Sequence, residues 1–239
     1  MGRTKLADRV LPTYTKGEDI FNMVSHIVGA PLGIVALVLG VIFSAKHGNG
    51  YGIASSIVYG LTLTTLYTMS SIYHGLKPNL KAKKVFQIID HCSIFLLIAG
   101  TYTPFALCTL REYNVATGWT IFGIVLNSID LKEFKVFSMI CYLVMGWCII
   151  FRINVIINSL GAVGFSLLLA GGIVYTVGAI FYGLGKKRKW MHSIFHLGCV
   201  IRKFVTITLC INICSIKKVA KQRLFTIYIM DIFHIKQLL

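Results

Sequence analysis

The sequence predicts an all-α, polytopic transmembrane helix bundle, and three observations carry that reading. Of 239 residues, 56% are hydrophobic and only 13% charged, with a mean hydropathy of +0.76. A soluble domain carries roughly a quarter charged residues. The apolar residues also come in long blocks, several of them near the roughly 20 residues that a spanning helix needs. Finally, the net charge of +16 comes from Lys and Arg clustered in short stretches between these blocks, as positive-inside signals are. That clustering argues against a nucleic-acid partner and for membrane lipid.

Residues 1–19 are polar and form an N-terminal segment. The first span is about Ile20–Ala45, interrupted by Asn22, Ser25, His26 and Ser44 and expected to bend at Pro31. It is too long for a signal-peptide core and reads as a membrane span. The second is about Tyr51–Tyr73 and runs into His74; the third, about Val85–Cys108, opens near Asp90-His91. The fourth block, Gly118–Ile129, has only 12 residues, and the fifth, Val136–Phe151, has 16. The sixth, about Ile153–Leu184, is glycine-rich, which permits close helix contact. Lys186-Lys187-Arg188-Lys189 then precedes a seventh apolar segment that opens with His192-Ser193-Ile194-Phe195-His196. Arg202 and Lys203 interrupt it, and residues 201–239 form a glycine-free, basic and partly apolar tail, expected to insert poorly.

Orientation follows from loop charge. The N-terminal segment and the loops after the second, fourth and sixth spans carry 14 Lys and Arg; the other loops carry 3, namely Lys46, Arg111 and Arg152. The expected arrangement is a multi-pass protein of the cell (plasma) membrane with a cytoplasmic N-terminus. Seven cysteines with no Cys-x-x-Cys lie in or beside the apolar segments. They read as small buried hydrophobes and not as a disulfide framework.

On this topology the polar intramembrane residues fall at one depth. His74 ends the second span, Asp90 begins the third, and His192 and His196 begin the seventh, all at the inner end. Ionisable groups inside a membrane are costly and are usually functional or paired. His192 and His196, four apart, share a helix face one turn from each other. With His74 they supply three imidazoles, which together with a water complete the tetrahedral set of a catalytic zinc site. Asp90 then suits the role of holding that water or accepting its proton, and Ser70, one turn before His74, can donate to water or to a substrate carbonyl. Taken singly, His192 reads equally well as an interfacial histidine and His74 as a helix-end residue. His26 reads as a helix-packing or hydrogen-bonding residue, and His91 points about 100° away from Asp90.

These residues resemble the haemolysin III proteins of bacteria, within the progestin and adipoQ receptor superfamily. The matching motifs are Asp19-x-x-Asn22-x-x-Ser25-His26, Ser70-x-x-x-His74, Asp90-His91-Cys92-Ser93-Ile94 running into Ala99-Gly100-Thr101-Tyr102-Thr103-Pro104, Met145-Gly146-Trp147 and His192-x-x-x-His196, in order over about residues 16–200. The resemblance implies seven helices and zinc held at His74, His192 and His196, with Asp90 and Ser70 beside it. Domain limits of 20–200 for the haemolysin III-like region, flanked by 1–19 and 201–239, follow. The sequence departs from the family in its short fourth helix, in its atypical seventh helix and in Asp19, where Glu is usual.

Two activities follow from the resemblance. The receptor branch is linked to ceramide hydrolysis; a zinc-dependent hydrolase of a lipid amide or ester is the leading expectation because the three histidines leave an open zinc position, Asp90 offers a proton acceptor and the spans offer little polar lining. The bacterial branch takes its name from haemolysis, which makes a pore-forming cytolysin with structural zinc the alternative. The spans offer little polar lining, so a homo-oligomer is the form in which such a pore would conduct. A non-enzymatic, receptor-like role in membrane homeostasis is the third reading.

Overall fold

The protein is described from a computed structural model. It covers Leu6, residues 10–109, isolated positions between 140 and 151, and residues 153–184 and 189–215. Every regular element among these residues is helical. The fourth predicted span, most of the fifth, and the chain after Ser215 lie outside the described residues.

Helix α1, Lys16–Lys46, starts at a reciprocal cap. The Glu18 backbone N–H donates to Thr15 Oγ1 at 3.3 Å, and the Thr15 backbone N–H donates to Glu18 Oε2 at 2.8 Å. Two otherwise orphaned amides are thereby satisfied. The helix runs through Pro31 without a break, so the expected bend does not interrupt it. Its buried stripe is Glu18, Asn22, His26, Gly29, Gly33, Ala36, Gly40 and Ser44, which is small and polar. Val24, Ile27, Val28, Ile34 and Val38 are exposed on other faces. That inverts the pattern of a soluble helix and suits one that turns apolar side chains to lipid and small ones to its neighbours.

Helix α2, Gly50–Gly75, packs between α1 and α3 and also touches the last helix. Its interior position explains its many hydroxyls. Ser55, Ser56, Tyr59, Tyr67 and Ser70 are all buried within the protein and not exposed to hydrocarbon. At Gly33 of α1 a Cβ would press into Thr64 and the Gly60 carbonyl, so the missing side chain is what lets α1 and α2 approach so closely.

Helix α3, Lys81–Pro104, runs into one turn of π-helix, Phe105–Thr109. Helix α4, Ile153–Leu184, matches the sixth predicted span but is kinked at Gly161, whose φ of 69° only glycine adopts easily. Trp147, from the fifth block, donates its indole N–H to Thr176 on α4 at 3.0 Å. Helix α5, Met191–Ser215, packs on α4 and α1 and touches α2 and α3.

The segments Lys16–Lys46, Lys81–Cys108, Leu160–Phe181 and Met191–Ile211 are long and apolar enough to cross a membrane. The protein is therefore an α-helical membrane protein. Helix α5 continues through Arg202 and Lys203, which interrupt its apolar run, to Ser215. Arg202 sits 4.7 Å from the Tyr175 ring centroid of α4, and Lys203 is only 6% exposed.

The apolar core lies mid-bundle, where Ala36, Tyr59, Leu63, Leu66, Tyr67, Leu97, Val200, Ile207 and Cys210 join α1, α2, α3 and α5. A second cluster of Phe105, Ile156, Leu160, Leu209 and Ile213 fills the end away from the histidines. The remaining end, where α1 and α5 begin and α2 finishes, is polar inside.

Candidate metal centre

That polar end is assembled by three helix termini. His74 comes from the last turn of α2, and His192 and His196 come from the first turns of α5. The start of α5 is fixed from α1: the Trp190 backbone N–H donates to Glu18 Oε1 at 2.6 Å, while Trp190 holds a positive φ of 66°. A bulky residue rarely adopts that conformation. Here the Glu18 carboxylate and the edge contact with Phe21, 6.1 Å between centroids, hold it in place.

One ring nitrogen from each of His74, His192 and His196 lies within 4.8 Å of the other two, and all three residues are buried. His74 directs Nδ1 to Asp19 Oδ1 at 2.9 Å. Since a carboxylate oxygen only accepts, Nδ1 carries the proton. Nε2 of the same ring is buried without a hydrogen-bond partner. His196 directs Nδ1 to Nε2 of His26 and sets its own Nε2 2.8 Å from Nε2 of His192. Tyr14 stacks on His192 at 5.0 Å and lies 5.5 Å from His74, so it covers two of the three rings.

This set fits a transition-metal ion. Three imidazole nitrogens around zinc at about 2.0–2.1 Å stand roughly 3.3 Å apart; here one pair is 2.8 Å apart and all three lie within 4.8 Å of one another. A buried imidazole nitrogen with no partner is costly. A cation that accepts the lone pairs of all three Nε2 atoms removes that cost.

Asp90 and Ser70 are both buried, at 8% and 1% exposure. The Ser70 hydroxyl lies beside the Asp90 carboxylate, although without the geometry of a formed hydrogen bond. Asp90 is not one of the clustered ligands. Ser70 stands one turn before His74 on α2. His91 donates its Nδ1–H to the Gln87 carbonyl at 2.7 Å, and the same nitrogen lies 3.9 Å from Asp90 Oδ2.

Three further residues support the cluster: His26, which the sequence reads as a packing or hydrogen-bonding residue, and Asp19 and Lys83, to which it assigns no role at the site. Asp19 holds His74, His26 holds His196, and Lys83 donates to Asp19 Oδ2 at 3.0 Å. A signal existed for the first two, because Asp19, Asn22 and His26 share one face at helical spacing. None existed for Lys83, which reads like its neighbours Lys81 and Lys84.

A helical membrane protein with a buried three-histidine cluster at one end of its bundle belongs to the class of polytopic membrane proteins with a candidate metal centre. Comparison with known proteins narrows this. The family model described as haemolysin-III related matches residues 14–231, and the chain belongs to that family. It is 42% identical over 189 residues to Hemolysin-3 of Bacillus cereus, covering 75% of this chain and 84% of the relative. It is 39% identical over 193 residues to the Hemolysin-3 homolog of Bacillus subtilis (strain 168), covering 77% and 88%. A more distant likeness, 26% over 157 residues and 59% and 62% of the two chains, is to the monocyte to macrophage differentiation factor of Homo sapiens. It supports the wider superfamily. No solved structure matches the chain.

Proposed function

We propose that the protein is a zinc-dependent hydrolase acting on a lipid amide or ester at the inner leaflet. The observation that carries this is the convergence of three buried imidazoles with at least one nitrogen left free for a cation. His74, His192 and His196 would hold the ion, leaving room for an exchangeable fourth position. Zinc there supplies Lewis acidity, polarising a carbonyl and making water acidic enough to react near neutral pH.

The chain's own residues do the rest. Asp90 accepts the proton that water gives up, and the Ser70 hydroxyl donates to the substrate carbonyl. Tyr14 closes the ligand rings off from the polar N-terminal side. The substrate enters from lipid, its apolar chains lying along the exposed aliphatic faces of the bundle.

The competing reading, a cytolytic pore, is favoured by the names of the two Bacillus relatives. The interior mid-bundle is packed with apolar and aromatic side chains, which supports conduction between copies of the chain and not through one of them.

Purified protein in liposomes separates the two. Metal content is measured first, then fatty-acid release from a ceramide-like amide and dye leakage. The hydrolase reading expects about one zinc per chain and release that is lost in Asp90→Asn with the metal retained. Leakage unaffected by chelator or by Asp90→Asn, with no fatty acid released, would leave the pore.

A further inference from the structure

Lys83 is the anomaly of the polar end. It comes from a lysine-rich turn yet is only 1% exposed, against the expectation that lysines reach water. Its ammonium donates to Asp19 Oδ2 at 3.0 Å and to the Leu76 carbonyl at 3.0 Å, and it lies 5.4 Å from the Tyr73 ring centroid. Leu76 is the residue that ends α2. One side chain from the first turn of α3 therefore ties the start of α1 to the end of α2.

The carboxylate it grips is occupied at both oxygens. Oδ2 takes Lys83 and Oδ1 takes the Nδ1–H of His74. A carboxylate with one free oxygen can swing, whereas one fixed at both oxygens cannot. The His74 ring is thus set in rotation and in tautomer. The nitrogen this leaves over, Nε2, is buried, has no hydrogen-bond partner, and is within reach of the other two histidines. Burying a lysine against a half-buried aspartate costs desolvation that a simple brace of apolar side chains would avoid. What charge adds here is orientation of a ring and greater electron donation from it.

We propose that Asp19, locked by Lys83, is the positioning residue that aims His74 at the metal. The inference rests on the reading of the three histidines as metal ligands. Lys83 acts one step further out, by holding the carboxylate.

The test uses full-length protein in detergent, with zinc affinity measured by chelator competition and melting measured in excess chelator. Asp19→Asn alone leaves Lys83 buried beside a neutral group and is expected to lower melting as well as affinity. The decisive variant is Asp19→Leu combined with Lys83→Met, which removes both charges together. It is expected to melt close to wild type without metal, yet to bind zinc about 10–100-fold more weakly. Loaded with cobalt(II), it should show altered visible ligand-field bands, because the His74 ring is no longer held. Asp19→Glu keeps a carboxylate within reach of both partners and should retain most of the affinity. Wild-type affinity and an unchanged cobalt spectrum in the double variant would overturn the proposal and reduce the pair to a structural brace. Wild-type protein that takes up no zinc would instead remove the metal reading itself, and this inference with it.

Discussion

Two of the three clustered histidines have their Nδ1 occupied by a partner on α1, Asp19 for His74 and His26 for His196. The consequence at the scale of residues is a graded response to substitution. Removing a ligand differs from removing the residue that holds it. His196→Ala should abolish metal binding, since two imidazoles remain. His26→Ala should keep the stoichiometry near one ion per chain but weaken affinity by about 10–100-fold. Elemental analysis after dialysis, followed by chelator titration, distinguishes these. A His26→Ala protein that binds as tightly as wild type would return His26 to packing against Tyr67, whose ring it meets edge-on at 5.0 Å.

The helices hold this arrangement through close packing of α1 on α2 and through the unusual charge content of α5. Gly33→Val would force side-chain atoms into Thr64 and the Gly60 carbonyl and push the two helices apart. Overpacking of that kind costs about 1–3 kcal/mol. Because Asp19 on α1 holds His74 on α2, metal affinity should fall together with melting temperature; a loss of stability with affinity intact would mean the two helices separate without disturbing the site. In α5 the two cations differ. Arg202 lies over the Tyr175 ring, a contact worth roughly 0.5–2 kcal/mol. Lys203 is buried, and among the described residues no carboxylate forms an ion pair with it. Lys203→Met is therefore expected to raise thermal stability in detergent and Arg202→Met to lower it. Equal shifts in one direction would show that the Tyr175 contact contributes nothing.

Element limits also decided how much of the site was legible. The sequence started the first span at Ile20 and the third at Val85, where the apolar runs begin. The helices start at Lys16 and Lys81. Both extend about one turn beyond the apolar run, and in those extra turns lie Asp19 and Lys83. Hydropathy marks where a chain meets hydrocarbon, not where backbone hydrogen bonding stops, so it places both residues outside the spans.

For the whole molecule, convergence of His74 with His192 places the end of α2 and the start of α5 at the same end of the bundle. The turn from Lys77 to Lys84 and the run from Lys186 to Lys189 should then share one side of the membrane, and loop charge predicts that it is the cytoplasmic side. Single cysteines introduced at Lys77 and Lys189 in a background lacking the native ones should both resist an impermeant thiol reagent on intact cells. Both should react after permeabilisation. Opposite accessibility at the two positions would contradict the assembled centre, and labelling of both from outside would invert the orientation while leaving the centre intact.

The sequence by itself determined the class of protein, the membrane as its solvent and the identity of the three histidines. Apolar block length and an i, i+4 histidine pair are local properties, written in consecutive residues. It also supplied the motifs that resemble the haemolysin III proteins, a family to which the chain belongs. Only the tertiary structure decided that α5 carries its two charges through to Ser215, because the Tyr175 ring and buried surroundings that receive them belong to other segments. It alone also joined Lys83 to Asp19 and Asp19 to His74, across 64 and 55 residues of sequence. Which atoms satisfy a buried charge depends on how distant helix ends are brought together, and no spacing along one chain segment encodes that.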